Sequence, residues 1–100
     1  MSYKGSDLDP IFKTFFRQQK SKITKILKDL GCTDIKLDYG FYDYSGFFTS
    51  NSGQVYYLCS NDYRDGVQTM YYRTAKHYKD YTGGSNQWVD PNKFNEIKIK

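Results

Sequence analysis

Cysteine, histidine and long apolar runs are all scarce in this chain, and each shortage removes a class of function. The two cysteines, Cys32 and Cys59, stand far apart, with no CxxC and no neighbouring histidine. That spacing excludes a zinc site and a disulfide framework, and implies buried free thiols in a reducing compartment. His77 is the single histidine. Asp80 follows three positions on, but no serine or cysteine lies in a nucleophile setting, so a Ser/His/Asp or Cys/His mechanism lacks its parts. Asp38, Asp43, Asp62 and Asp65 match no calcium-loop spacing and suit solvated strand ends, so no metal and no cofactor are expected. No stretch approaches the roughly 18 apolar residues needed to span a bilayer, and MSYKGSDLDP carries no apolar leader core. The resulting expectation is a cytoplasmic protein with no membrane partner.

Acidic residues are missing from Pro10 to Leu27, a span that holds Lys13, Arg17, Lys20, Lys22 and Lys25. Over the whole chain, 15 Lys and Arg against 11 Asp and Glu leave a net charge of +4, a modest bias toward polyanions or acidic protein surfaces. What is abundant is aromatic: eleven Tyr, seven Phe and one Trp make up 19% of the residues. A chain of 100 residues allows one domain, residues 1–100, with one core; residues 1–8 and 92–100 are expected to be poorly ordered. So small a core has few fully buried positions and cannot take every ring. The remaining phenols belong at a surface, where an apolar ring with a polar tip suits an interface.

The order of elements follows from period and punctuation. Asp9-Pro10 caps and starts a helix. Phe12, Phe15, Phe16, Gln19, Ile23, Ile26, Leu27 and Leu30 gather on one face at helical spacing, and Gly31 ends it, which predicts a helix over about 10–30. The period then becomes two, with Ile35, Leu37 and Tyr39 on the buried side of a strand. Gly40 and Ser45-Gly46 punctuate the next stretch. Residues 41–50 and 54–60 form a hairpin about Asn51-Ser52-Gly53. A polar loop, 61–66, precedes a fourth strand over 67–74. Residues 75–84 suit one short helix ended by Gly83 or, better, a loop or a single turn, and 87–90 a short edge strand. The fold class is therefore α+β: one long N-terminal amphipathic helix packed on one face of an antiparallel sheet of four strands or five, with an irregular C-terminal segment.

A lone helix covers one sheet face, so the tyrosines of FYDYSGFF, VYYL and MYYR that point the other way need solvent, a second copy or a partner. Three sets of residues carry binding chemistry. Lys13, Arg17, Lys20 and Lys28 form a stripe beside the apolar face of the helix, suited to a phosphate backbone or to plain solvation, whereas Lys22 and Lys25 point elsewhere. Tyr71, Arg73, Lys76, His77, Tyr78, Lys79, Tyr81 and Trp88 concentrate cations and rings near the C-terminus, as a partner-binding segment does. Within it Thr82, Gly83, Gly84, Ser85 and Asn86 have the composition of an anion-binding loop or of an ordinary turn.

In length, in Tyr, Asn and Lys content and in its lack of enzyme motifs, the chain resembles in type the small accessory proteins of bacteriophages and mobile elements. That resemblance implies a non-enzymatic protein that binds, and inhibits or modulates, a host protein or nucleoprotein through an aromatic and basic surface. Single-stranded RNA or DNA binding by tyrosine stacking with the Lys/Arg stripe is the alternative. A small enzyme acting on a nucleotide or phosphate ester through His77 is a third reading. The aromatic sheet face also suits a homodimer.

Overall fold

The computed structural model describes residues 10–40 and 42–96. The first described element is helix α1, Pro10–Asp29, which buries Phe12, Phe16, Ile23 and Leu27 along one stripe. Its end is a Schellman arrangement. Gly31, at φ +84°, donates its N–H to the Lys28 carbonyl, and the Cys32 N–H reaches back to the Leu27 carbonyl at 2.9 Å. Cys32 and Leu27 are both buried, supplying the apolar contact that accompanies such a cap. Leu30, expected on the apolar face, instead sits beyond the last full turn and is exposed. The Asp9 cap lies outside the described residues.

Five strands follow as a simple meander: β1 Thr33–Tyr39, β2 Tyr44–Thr49, β3 Val55–Ser60, β4 Met70–Ala75 and β5 Gln87–Val89. Each pairs antiparallel with the next, so among the described residues β1 and β5 are the two outer strands. The helix packs across one face. There it meets Leu37, Tyr44, Phe48, Tyr56, Leu58, Met70 and Tyr72, and Phe94 from the C-terminal segment joins the same core. The reverse face carries the alternate residues. One cross-strand row runs Lys36, Phe47, Tyr57, Arg73, and the next runs Asp38, Ser45, Cys59, Tyr71, Trp88.

The edge strand over 87–90 is present, which makes the sheet five-stranded. Ser45-Gly46 does not punctuate: it lies inside β2, where the backbones of β1 and β2 come so close at Gly46 that a Cβ would strike the Lys36 carbonyl. β4 begins at Met70, three residues later than its propensity suggests, because Asn61 holds the preceding turn by accepting from the Thr69 N–H and donating to the Val67 carbonyl. Residues 76–86 are a loop without helix. Pro91–Glu96 coil into 3-10 turns kinked at Lys93, and their Phe94 is fully buried. Disorder was expected over 1–8 and 92–100; residues 1–8 and 97–100 lie outside the described residues. No described helix is long and apolar enough to cross a membrane.

Candidate functional site

The loop between β4 and β5 folds back as a flap over the reverse face of the sheet. Asp80 pins it. Its carboxylate accepts from the Lys76 N–H at 2.8 Å, the Thr82 N–H at 3.0 Å and the Thr82 hydroxyl at 2.7 Å. Those donors stabilise the charged form and hold the Asp80 carboxyl down at about 2. Lys79 adopts a left-handed φ of +71° at the bend. Gly83 and Gly84 then run against Thr74 so closely that a side chain on either would strike its backbone, so their visible role is close approach to β4.

The flap lays Tyr78 and Tyr81 onto the sheet. Their rings meet Phe47 edge-on at 5.3 and 5.4 Å, and Tyr81 also meets Tyr57 at 5.6 Å. Phe47 and Tyr57 become buried, while Tyr78 and Tyr81 stay 47% and 59% exposed. The expectation of an open aromatic face is thus corrected by half. Adjacent rings split between faces, with Tyr44, Tyr56 and Tyr72 turning to the helix, and the chain itself covers the centre of the other side. Trp88, 63% exposed and edge-on to Tyr71 at 5.0 Å, remains open beyond the flap. Arg73 lies between these two groups. Its guanidinium sits over Tyr57 at 4.7 Å and donates to the Tyr81 carbonyl and the Asn86 side chain.

Between the flap and the β1 edge opens a groove of about 640 Å³. Phe47, Ser45 and Gly46 form its floor, Tyr78 and Tyr81 one wall, and Lys36, Asp38 and Lys20 the rim. Lys36 Nζ stands 4.4 Å from the Tyr78 ring centroid and Lys79 Nζ 5.6 Å, so two cations share one half-exposed ring. Lys20 ties the groove to the helix flank. It also lines a neighbouring depression with Lys25 and Lys28, while Lys13 and Arg17 line a third beside Tyr39. The stripe is therefore wider than the sequence suggested, since Lys25 joins it. Lys22 does turn away, donating to Asn92 on the opposite flank.

The structure thus brings together Tyr71, Arg73 and Trp88 on the strands beside the flap and Tyr78, Lys79 and Tyr81 on the flap itself. Lys76 and His77 are exposed at the flap's start, and the His77 ring bonds the Tyr78 carbonyl at 2.8 Å. Of the supposed anion loop, Thr82 serves Asp80, Asn86 serves Arg73, and Ser85 is exposed. Lys36, Phe47, Tyr57 and Ser45 of the groove were not read from the sequence, and Asp38 was read there only as a solvated strand end. Their signal was available only as register, since Lys36 stands across from Phe47 and Phe47 from Tyr57. Burial pushes the Cys59 thiol up, so at neutral pH it stays protonated and weakly nucleophilic. Asp62 caps a 3-10 turn and pairs with Arg64 at 2.8 Å, and among the described residues no three metal-binding side chains converge.

If Asp80 is the pin, the flap depends on its charge. A carboxyl with a lowered pKa contributes stability that is complete above the ordinary carboxylate value near 4 and is lost as pH falls through about 2. The Lys76 and Thr82 amide resonances are expected to titrate with a midpoint near 2. A midpoint near 4 would mean that the carboxylate is not held. At pH 8, Asp80→Ala is expected to speed tryptic cleavage after Lys76 and Lys79 by about tenfold or more, a release of local rather than global structure.

The chain matches no protein-family model, no curated protein and no solved structure with which it was compared.

Proposed function

We propose that this is a non-enzymatic recognition protein that binds an anionic macromolecular partner, an acidic host protein surface or a nucleoprotein, through the groove beside the flap. The observation that carries this reading is the placing of half-exposed Tyr78 and Tyr81 among Lys20, Lys36 and Lys79 at a preformed concavity. Rings held by packing on Phe47 and Tyr57 lose little freedom on binding, and desolvated aromatic anchors beside cations are what dominate interfaces. The engagement of Asp80 by the flap backbone, and of the His77 ring by a carbonyl, favours binding over acid/base chemistry. The type fits the small accessory proteins of phages and mobile elements, with the cytoplasm as the place of action.

The test is affinity purification from the native cell with and without nuclease, comparing the wild type with a Tyr81→Ala/Trp88→Ala double variant. The variant is expected to lose the specific partner, a drop in affinity of about 100-fold, while its Tm stays within about 3 °C, because both rings are more than half exposed. A partner retained by the variant, or a collapse of Tm, would assign these rings to structure alone.

A further inference from the structure

We propose that the partner enters this groove as a single strand of nucleic acid, its phosphates following the cations of the α1 flank and Lys36, and a base lodging against Tyr78 and Tyr81. The inference rests on the groove being the recognition site, and names what fills it.

Charge complementarity points to a linear polyanion. Lys13 and Arg17 line one depression of the α1 flank and Lys20, Lys25 and Lys28 a second, and Lys20 is shared between that second depression and the groove, which Lys36 also lines. From Lys13 to Lys28 the helix axis runs about 22 Å at 1.5 Å per residue. Among the described residues the one side-chain ion pair is Arg64 with Asp62, so these cations are not neutralised by ion pairs. A strand of evenly spaced phosphates matches a long row of cations better than the scattered carboxylates of a folded protein surface.

The groove adds what a charge strip alone lacks. Its half-exposed rings offer contact to a flat base, and its volume of about 640 Å³ lies in the range of small-ligand sites. Only an unstacked base reaches such a recess, which favours single strands over duplex. Asp38 lines the groove together with Lys20 and Lys36, so phosphate is favoured at the two lysines and disfavoured at the carboxylate.

The experiment is fluorescence anisotropy of the full chain with labelled dT10, dC10 and rU10, with a matched duplex and a deca-glutamate peptide as controls. Neutralising about five phosphates gives a salt slope near −3.5, or about a 100-fold loss of affinity between 50 and 200 mM salt. Lys20→Gln/Lys36→Gln is expected to flatten that slope by about 1.4. Tyr81→Ala is expected to weaken single-strand binding about tenfold or more, with Tyr81→Phe near wild type, because the ring face rather than the hydroxyl makes the contact. Circular dichroism melts check that each variant is folded. Equal affinity for duplex, or single-strand binding indifferent to both variants, overturns the proposal. Binding of the peptide but of no oligonucleotide overturns it too, while leaving the recognition groove in place; binding of neither removes both.

Discussion

Phe12→Ala is expected to cost about 3–5 kcal/mol and to lower Tm by roughly 15–30 °C. Phe12 is wholly buried, and its ring lies 5.5 to 6.4 Å from Phe15, Tyr39, Tyr42 and Tyr63. It therefore joins the first turns of α1, the end of β1 and the loop before β4 in one aromatic cluster. Truncation removes transfer free energy and leaves a cavity that rigid rings cannot collapse to fill. Since a domain has only about 5–15 kcal/mol in total, this loss alone brings the variant near unfolding at body temperature. Phe12→Leu keeps much of the volume and is expected to lose less than half as much. Ile11→Ala, at a neighbouring apolar position that is 69% exposed, is expected to stay within about 0.5 kcal/mol. Urea and thermal melts followed by circular dichroism separate the three; a Phe12→Ala melt within a few degrees of wild type would remove the cluster as the anchor of the helix.

The helix was legible because its apolar residues recur at a single period and Gly31 marks its end without ambiguity. β1 was legible for the same reason at period two. The later strands were legible in position, but which of their rings faces the helix was not, and the cause is specific. Phe47-Phe48, Tyr56-Tyr57 and Tyr71-Tyr72 place aromatic residues at consecutive positions, so alternation disappears and sequence cannot say which ring faces the helix. In the folded chain each pair splits, Phe48, Tyr56 and Tyr72 going to the main core and Phe47, Tyr57 and Tyr71 to the reverse face. The flap was hidden for a different reason. Asp80 and Gly83-Gly84 suggested an orienting carboxylate and an anion loop, but both serve to bend residues 76–86 back onto the sheet. Only that return brings Tyr78 and Tyr81 beside Lys36, which is more than 40 positions away, and no local pattern encodes it.

Gly46→Ala tests whether this groove is built on a close contact between two backbones. Gly46 lies inside β2 opposite Leu37, and a Cβ there would overlap the Lys36 carbonyl and stand 2.8 Å from Leu37 Cα. Both obstacles are main chain, so no rotamer change relieves them. Relief requires β1 to move away from β2, beside the point where their register already shifts between Thr33 and Lys36. Such overpacking is expected to cost about 3 kcal/mol, the upper part of the usual range, because ladder hydrogen bonds stretch as the strands part. The effect on the site is as informative as the effect on Tm. Lys36 and Asp38 ride on β1, so displacement of that strand carries one rim of the groove away from Tyr78. The ring-current shift of the Lys36 side-chain protons, which stand over Tyr78, is expected to vanish in any fraction of Gly46→Ala that remains folded. An alanine accepted with Tm and ring-current shift unchanged would show that β1 and β2 do not meet so closely, and that the groove owes its shape to the flap alone.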